Sequence, residues 1–377
     1  METKKTSTLI IGASIAGLAT AGALYHKGLE YTLIEKESDI AAPWRLHYER
    51  LHLHTNKGLS ALPYKSFQKN IQQYPSRLEF LHYLEEYRLA FKIEPIFNRE
   101  AISIRREKKT WITETSEQRF LSKNLVVATG AFGKKKRIKI AGMETFPGKM
   151  LHSSEYITGK DFEGKKVLVI GFGNSACEIA LDLFEQGAQA SMSLRSPVNV
   201  LPRDISGIPI LKWSVLLSKF PPAIADAISA PVIRWKIGRL EKLGLEKKAY
   251  GPFTEIANDR KTPVIDVGTI RQIRAGNIRL FNSINRIEKS VVLFDDGRTE
   301  SFDAIICATG FVKSFPRIEE PDQNLLKDLD LPSRERTDFG KDGLYFCGFY
   351  IGPTGHINEI TKDALMISNR ISLFLGG

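Results

Sequence analysis

The chain has 377 residues, a length typical of two domains and sufficient for substantial hydrophobic cores. Its composition, 42% hydrophobic and 26% charged, is ordinary for a globular protein and excludes a disordered or collagen-like chain. The net charge of +11 favours polyanionic ligands, a class that includes nucleic acids and also dinucleotides.

The first predicted element is a βαβ unit over Thr6–Lys36, where an apolar run leads into a glycine turn, a helix and a second strand. Because this strand starts so near the N-terminus, we expect no signal peptide. The turn, Gly12-Ala13-Ser14-Ile15-Ala16-Gly17, is a dinucleotide fingerprint with serine in place of the middle glycine. Glu35 ends the second strand, where an acid binds the ribose hydroxyls of FAD or NAD; the alternative is a surface glutamate.

A second βαβ unit over Lys165–Ser196 has the turn Gly171-Phe172-Gly173-Asn174-Ser175-Ala176, with alanine at the third glycine position. Arg195 stands where Glu35 stands in the first unit. An arginine pairs with a 2′-phosphate that an acid would repel, so this site is predicted to bind NADPH; the alternative is a solvent-facing charge. Two dinucleotide sites imply electron transfer between two cofactors, and FAD with NADPH is the ordinary pair.

Two further segments, LVVATG and IICATG, repeat one design: each predicts a buried strand with a tight turn, ending at Gly130 and Gly310. We therefore predict an α/β fold of two Rossmann-like dinucleotide-binding domains, each with three ββα layers, the NADPH domain inserted in the FAD domain. Residues 1–158 and 301–377 are predicted to form the FAD-binding domain, and residues 159–300 the NADPH-binding domain.

Residues 204–250 predict a helical excursion within the second domain. Its most apolar part, Ile208–Ile233, is interrupted by lysines, an aspartate and prolines, so we expect no transmembrane helix. The basic and apolar mixture is compatible with a membrane surface, but we favour a packed insertion. The segment that follows Lys341 (strand, loop, helix) is expected to return to the first domain and complete its cofactor site.

Other reactive residue types give weak signals. Cys177, Cys307 and Cys347 lie far apart without a CxxC pair, so we interpret them as core residues of a cytoplasmic protein. The histidines lack HExxH spacing, and we expect no metal. The run Lys134–Arg137 is interpreted as a solvated loop; drawing in a dinucleotide or serving as a localisation signal are the alternatives.

The segment between the two units carries the most specific signal. Phe146, Gly148, His152 and Tyr156 are in register with the FxGxxxHxxxY/F fingerprint, and the chain resembles the flavin-containing monooxygenases, which are class B flavoprotein monooxygenases. The tyrosine ending resembles the N- and S-oxygenating branch. In that family the segment links the domains, so the resemblance implies an architectural rather than a proton-transfer role for His152.

The resemblance extends over nearly the whole chain. Ala42–Arg45 and Leu51–Lys57 are similar to the family's flavin-flanking segments, and Lys261–Thr269 resembles the YUCCA-type subgroup, which oxidatively decarboxylates an indolic 2-oxo acid. The resemblance implies a catalytic role for Asn56 beside the flavin ring and for Asn174. The alternative for Asn56 is a cap or turn residue.

The fingerprints and the resemblance together predict the residues that contact cofactor. They are Gly12, Ser14, Ile15, Ala16, Gly17, Glu35, Lys36, Trp44, Arg45, His54, Thr55, Ala101, Ala128, Thr129, Gly130, Gly171, Gly173, Ser175, Ala176, Arg195, Ser196, Ala308, Thr309, Gly310 and Gly348.

The resemblance implies an FAD- and NADPH-dependent monooxygenase that forms a C4a-hydroperoxyflavin and inserts one oxygen atom of O₂ into a small organic substrate. N- or S-oxygenation and oxidative decarboxylation of a 2-oxo acid are both open. The alternatives are an NADPH-dependent flavin reductase or oxidase and a non-enzymatic flavoprotein scaffold. The expected partners are the substrate and O₂, not nucleic acid, and the sequence permits a homodimer.

Overall fold

The computed structural model describes residues 2–319 and 341–376. Within them the strands are β1 (Glu2–Ile11), β2 (Thr32–Ile34), β3 (Ala101–Glu107), β4 (Thr110–Thr115), β5 (Gln118–Val127), β6 (Lys134–Lys135), β7 (Lys149–His152), β8 (Lys166–Ile170), β9 (Gln189–Ser193), β10 (Val200–Pro202), β11 (Asp204–Ile205), β12 (Ile208–Pro209), β13 (Val264–Asp266), β14 (Arg279–Phe281), β15 (Ile284–Glu288), β16 (Val291–Phe294), β17 (Thr299–Ser301), β18 (Ala304–Cys307), β19 (Phe311–Val312), β20 (Arg317–Ile318) and β21 (Leu344–Phe346).

The helices of the same residues are α1 (Ile15–His26), α2 (Ala42–Arg45), α3 (Arg77–Ala90), α4 (Asn174–Glu185), α5 (Ile210–Leu217), α6 (Pro222–Ile237), α7 (Pro252–Asp259), α8 (Thr269–Arg274) and α9 (His356–Gly376). Short 3-10 helices span Lys57–Leu59, Met143–Thr145, Gly159–Phe162, Leu240–Leu243 and Lys341–Gly343.

The chain divides into two compact units. Unit 1 comprises residues 1–45, 55–134 and 312–377, and unit 2 comprises residues 46–54 and 135–311. The predicted α/β class with two dinucleotide-binding folds is confirmed, and unit 2 interrupts unit 1 in sequence. The unit boundaries fall at 134 and 311, whereas the predicted domain boundaries were 158 and 301.

Unit 1 is built on a sheet of order β2-β1-β5-β4-β3-β20, with β21 also paired to β5. The strands β2, β1, β5 and β21 are mutually parallel, while β3, β4 and β5 form an antiparallel meander. Leu9 and Ile10, on opposite faces of β1, are both fully buried, as expected for a central parallel strand covered on two sides. The C-terminal segment lies in this unit, where β21 pairs with β5.

Helix α1 is buried along Ile15–Leu24 on every face because it packs against the sheet, α3 and α9. Gly22 is required by this packing, since a β-carbon there would lie 2.1 Å from the Tyr87 hydroxyl oxygen on α3. Helix α3 begins with a capping box in which Ser76 and Glu79 satisfy each other's backbone N–H groups. The packing of α1 against the sheet and its neighbouring helices holds the glycine turn of unit 1 at the N-terminal end of a rigid helix.

Unit 2 repeats the parallel design with the strand order β14-β9-β8-β18-β7. Helix α4 connects β8 to β9, and a separate antiparallel meander is formed by β15, β16 and β17. Helices α5 and α6 lie within residues 204–250, after the β11–β12 hairpin. Helix α6 buries only Ala225 and Ile237.

Two general expectations concern the cysteines and membrane-spanning helices. Cys177, Cys307 and Cys347 are buried and form no disulfide, so their interpretation as core residues is confirmed. Burial raises the pKa of the Cys307 thiol to about 11. Across residues 2–319 and 341–376, no helix combines the length and apolar character needed to cross a membrane.

Candidate dinucleotide sites

The glycine turn of unit 1 connects β1 to α1, and close packing explains both terminal glycines. Gly12 has a φ of +102°, and a β-carbon there would lie 2.9 Å from the Ala128 carbonyl oxygen. A β-carbon on Gly17 would lie 1.8 Å from the Gly12 carbonyl oxygen. Helix and strand therefore approach as closely as the fingerprint requires, and the helix N-terminus, with its free N–H groups, faces the strand end.

The middle position, Ser14, tolerates a side chain because its backbone is extended, with φ −94° and ψ −160°. Ser14 is the N-cap of α1, yet its hydroxyl makes no capping hydrogen bond. The first-turn N–H groups of α1 thus keep their capacity to bind an anion. Ile15 and Ala16 follow as buried residues of the same turn.

Glu35 lies beside the turn, just after β2, and is 9% exposed. Its Oε2 accepts a hydrogen bond from Ala13 N at 2.6 Å, and its Oε1 accepts one from Glu37 N at 3.0 Å. Each carboxylate oxygen has a second lone pair for a ribose hydroxyl. Lys36, in contrast, points to solvent and pairs with Glu37 at 3.4 Å.

Other predicted contacts of unit 1 meet at the same edge of the sheet. Ala128, Thr129 and Gly130 follow β5, and Thr129 Oγ1 donates to Ser314 O at 3.0 Å. Gly348 follows β21 with a φ of +83°, and a β-carbon there would lie 2.9 Å from the β-carbon of Ala16. The four residues cluster because β1, β5 and β21 are parallel neighbours.

The remaining predicted contacts of unit 1 have local partners. Trp44 packs edge-on against Phe80 with ring centroids 4.7 Å apart, and Arg45 pairs with Asp39 at 2.9 Å. Thr55 hydrogen-bonds to Ser60. Ala101 lies on β3 in the apolar core of the unit.

Asn56 is 5% exposed, and its two polar side-chain atoms differ in their surroundings. Its Oδ1 accepts from Gly58 N at 3.0 Å and from Leu59 N at 3.2 Å, which caps the 3-10 helix Lys57–Leu59. Within the part of the chain that the structure describes, the buried Nδ2 has no hydrogen-bond partner. The capping role is therefore present, and a buried donor remains for a ligand.

The turn of unit 2 has the same geometry at its start and more room in its middle. Gly171 has a φ of +122°, and a β-carbon there would lie 2.5 Å from the Ala308 carbonyl oxygen, which matches Gly12 and Ala128 in unit 1. At Gly173 the φ is −90°, and among the described residues no atom beyond the chain neighbours lies within 4 Å of a β-carbon built there. Neither backbone conformation nor packing among these residues requires glycine at this position, and the space beside it is open.

Residues around the strand ends of unit 2 complete this site. Arg195 and Ser196 follow β9 and are exposed, and among the described residues Arg195 has no ion pair. Thr309 and Gly310 follow β18, and Thr309 Oγ1 donates to Lys136 O at 2.6 Å. Ala176 is fully buried on α4.

Asn174 has partners that favour a bracing role over the predicted catalytic one. Its Nδ2 donates to Pro263 O at 3.2 Å, and its Oδ1 accepts from Ile265 N at 2.7 Å. Both atoms thus hold β13 against the start of α4. The catalytic assignment of Asn174 stays a prediction from the resemblance.

Residues 46–54 pack on the polar side of α4 within unit 2, which the sequence analysis did not predict. His54 Nε2 hydrogen-bonds to Glu178 Oε1, and Glu178 is 1% exposed. The Tyr48 hydroxyl contacts Ser175 and Glu178, and burial with the Glu178 charge raises its pKa well above the usual value. His54 and Ser175, both predicted cofactor contacts, therefore belong to a buried polar cluster. In the sequence, the polar side of α4 was indicated only by a polar residue at every third or fourth position of an otherwise apolar helix.

The FxGxxxHxxxY fingerprint lies within unit 2. A β-carbon on Gly148 would lie 2.2 Å from Asp303 O, and His152 Nε2 lies 3.1 Å from Gly310 O. Tyr156 is fully buried, and its hydroxyl donates to Asp182 Oδ2 at 2.6 Å. These contacts tie β7 to β18 and α4, and they support an architectural role for His152.

The chain is similar to known proteins in both sequence and fold. A sequence model of the family described as "Flavin-binding monooxygenase-like" matches residues 4–329. The chain belongs to this family. A flavin-binding monooxygenase-like protein is a flavin-dependent oxidoreductase, and the predicted family and enzyme class are confirmed.

Individual relatives agree with this assignment. "Indole-3-pyruvate monooxygenase YUCCA6" of Arabidopsis thaliana is 38% identical over 357 residues, which are 91% of this chain and 85% of the relative. The solved structure "Flavin-containing monooxygenase from Stenotrophomonas maltophilia" has a TM-score of 0.74 and 18% identity, with 100% of both chains covered. A structure described as "OTEMO complex with FAD and NADP" has a TM-score of 0.74 and 17% identity, covering 98% of this chain and 86% of that one. At such identities the two structures establish the fold.

Proposed function

We propose that this family member is an FAD- and NADPH-dependent monooxygenase, with FAD at the turn of unit 1 and NADPH at the turn of unit 2. The observation that carries the proposal is the matched pair of strand–turn–helix sites with opposite charge at the ends of their second strands. Glu35 has that position in unit 1, and Arg195 has it in unit 2.

The residues of unit 1 fit the adenosine diphosphate part of FAD. The uncapped N-terminus of α1 offers N–H groups and partial positive charge to a pyrophosphate. Glu35 is buried at the correct strand end and has lone pairs for ribose hydroxyls. A related structure is described as a complex with FAD and NADP, which supports the choice of this cofactor pair.

The residues of unit 2 fit NADPH better than NADH. The open space at Gly173 lets a pyrophosphate approach the start of α4. The exposed guanidinium of Arg195 can pair with a 2′-phosphate, and the absence of a carboxylate at that position removes a repulsive charge. The position therefore selects the phosphorylated dinucleotide.

When bound, the flavin supplies the redox and oxygen-activating chemistry. The protein positions it and excludes water. The Asn56 side chain contributes a neutral donor, because its oxygen is engaged as a cap while Nδ2 has no protein partner within the described residues. A neutral donor can hydrogen-bond to an oxygen atom that gains negative charge without supplying a proton outright.

For the substrate, we propose an aryl 2-oxo acid that undergoes oxidative decarboxylation, because the 38% identical relative is named an indole-3-pyruvate monooxygenase. The 2-oxo acid, O₂, NADPH and one proton would give the shortened carboxylic acid, CO₂, water and NADP⁺. N- or S-oxygenation of a soft nucleophile is the second candidate, which the tyrosine ending at Tyr156 favours. We place the protein in the cytoplasm, where its cysteines would remain reduced.

Rapid mixing of the NADPH-reduced enzyme with O₂ tests the monooxygenase proposal. We expect an absorbing intermediate, distinct from reduced and oxidised flavin, that decays faster when the substrate is added. Direct return to oxidised flavin without an intermediate would instead indicate a flavin reductase or oxidase. A disulfide reductase has no support among the cysteines, since Cys177, Cys307 and Cys347 are buried and none of them forms a disulfide among the described residues.

Indole-3-pyruvate and an organic sulfide, compared in parallel, separate the two substrate classes. We expect one carboxylic acid product per NADPH consumed with the 2-oxo acid. Sulfoxide formation at high coupling, with the 2-oxo acid left unchanged, would reject oxidative decarboxylation in favour of S-oxygenation.

A further inference from the structure

Helix α6 exposes an apolar stripe to solvent. Its members are exposed apolar residues on one side of the helix: Ile224, Ile228, Val232 and Trp235. The spacing of four, four and three residues aligns them within about one-quarter of the helix circumference, given about 100° per residue. Trp235 is 72% exposed and Ile228 is 51% exposed, so a large part of the stripe is open to solvent.

The opposite side of α6 holds the helix in unit 2. Asp226 accepts hydrogen bonds from Phe253 N at 2.8 Å and Thr254 N at 3.0 Å, so it binds the N-terminus of α7. Ile237 is buried on the same side of α6 as Asp226, whereas Ala225 is buried at the edge of the stripe, next to Val232. The helix is therefore fixed with its apolar stripe outward, and its one acidic residue faces away from that stripe.

The preceding segment also exposes large apolar side chains to solvent. Trp213 and Leu216 on α5, and Phe220 in the turn before α6, are 41%, 51% and 48% exposed. Large contiguous apolar surfaces on globular proteins mark interaction sites, and tryptophan at such a surface is typical of the membrane–water interface.

Basic residues lie directly beside the stripe. A groove of about 510 Å³ at the C-terminal end of α6 is lined by Trp235, Lys236, Ile237, Gly238, Arg239, Lys242, Leu243 and Arg274. Four of these eight residues are cations and none is an acid. The Lys236 ammonium also lies 5.8 Å from the centre of the Trp235 ring. The groove therefore suits anions, and it adjoins the apolar stripe at Trp235.

We propose that this surface docks on the face of an anionic lipid bilayer, with the stripe of α6 among the outer acyl chains. Phospholipid phosphates would occupy the basic groove. The stripe is narrow and flanked by Arg234 and Lys236, which is the pattern of a helix that lies in the interface rather than across it. Charge complementarity selects this occupant, because an acid-free basic groove beside exposed tryptophan matches the anionic headgroups above the acyl chains.

Vesicle binding of the full-length protein tests the proposal. We expect it to float with vesicles of phosphatidylcholine that contain about 30% phosphatidylglycerol, more weakly with phosphatidylcholine alone, and less as salt rises. Lys236→Ala with Arg239→Ala should weaken the binding by about 25-fold, since each basic residue near the surface contributes about fivefold. Trp235→Ser should weaken it about tenfold or more.

Matched controls remove the same chemical groups elsewhere. Leu78→Ser replaces a residue that is 67% exposed on α3, and Lys108→Ala with Lys109→Ala removes two exposed cations from the β3–β4 turn. Both controls should bind vesicles as the unmodified protein does. Equal binding by the α6 variants and the controls, or no flotation of the unmodified protein, would overturn the proposal.

A measurement without variants guards against misfolding. Brominated acyl chains should quench the tryptophan fluorescence of the unmodified protein when it is mixed with anionic vesicles, because Trp213 and Trp235 would lie near those chains. Unchanged fluorescence would count against docking. A concentration-dependent dimer that Trp235→Ser dissociates, without vesicle binding, would assign the stripe to a second copy of the chain and reject the membrane.

Discussion

Substitution of Gly17 by alanine is expected to damage the proposed FAD site of unit 1, because the new methyl group disturbs the packing of α1. The new methyl group would lie 1.8 Å from the Gly12 carbonyl oxygen, whereas real contacts of this kind stay above 3.0 Å. The turn and α1 must then separate by about 1.2 Å (3.0 minus 1.8 Å). Because α1 is buried along Ile15–Leu24, it cannot make this shift without disturbing its neighbours.

Overpacking of this kind costs about 1–3 kcal/mol, which corresponds to a fall in melting temperature of roughly 2–12 °C. The helix N-terminus would also move away from the pyrophosphate position, so FAD content should fall. The ratio of flavin to protein absorbance measures the content, and flavin fluorescence during heating measures the melting temperature. Unaltered NADPH binding by unit 2 would show that the damage is local.

The matching position of unit 2 provides the control. Ala176 already carries a methyl group there, and Ala176→Gly should cost only about 1 kcal/mol of helix propensity without loss of flavin. If Gly17→Ala kept its full FAD content and melting temperature, the close approach of α1 to β1 would be wrong.

Four other substitutions probe separate parts of the enzyme. Arg195→Ala should erode the preference for NADPH over NADH by about ten- to a hundredfold while NADH kinetics stay constant. The control Arg271→Ala, at another exposed arginine, should leave the preference as it is. An unchanged ratio of the KM values for NADPH and NADH in Arg195→Ala would exclude Arg195 from the 2′-phosphate site. Asn56→Ser keeps a capping oxygen but loses the Nδ2 donor, so it should release more hydrogen peroxide per NADPH. Asn56→Ala should in addition lose about 0.5–2 kcal/mol of stability. Normal coupling in Asn56→Ser would show that Asn56 acts only as a helix cap. Tyr156→Phe removes a buried donor to Asp182 and should lower the unfolding free energy by about 1–3 kcal/mol in urea titrations, a larger loss than Tyr250→Phe causes at the more exposed Asp259 pair. Burial lowers the pKa of His152, so below about pH 6.5 this side chain binds more protons in the unfolded chain than in the folded one. The free energy of unfolding should therefore fall as the pH drops from 7 through this range, and His152→Gln should lessen the fall. The same pH slope in both proteins would contradict this expectation.

The parts of the fold that depend on short-range chemistry were predictable. Glycine is required at Gly12 and Gly171 because a β-carbon there would meet the carbonyl oxygens of Ala128 and Ala308. These two alanines stand at the ends of the strands that the ATG segments predicted. Glycine positions and strand ends lie in local sequence patterns, so they identify the two dinucleotide turns without knowledge of the tertiary structure.

The polar contacts between distant segments were not predictable in the same way. His54 meets Glu178 across 124 positions, and Asn174 meets β13 across about 90 positions. Such pairs depend on how residues 46–54 and β13 pack against α4, and no local sequence pattern predicts this packing. The spacing of Ser175, Glu178 and Asp182 indicates a polar side of α4, but the partners of that side emerge only from the fold.

The buried thiols have a consequence for the durability of the enzyme during turnover. An oxygen-activating flavoenzyme meets hydrogen peroxide whenever reduction and product formation are not fully coupled, and a thiolate is the form that peroxide oxidises. With its pKa raised to about 11, Cys307 has about one thiolate in ten thousand molecules at pH 7. Cys177 is fully enclosed on α4, and burial raises the pKa of its thiol well above the usual value. The protein thereby keeps its easily oxidised sulfur atoms away from its own by-product, so that inactivation during uncoupled cycles should fall on methionine or flavin before cysteine.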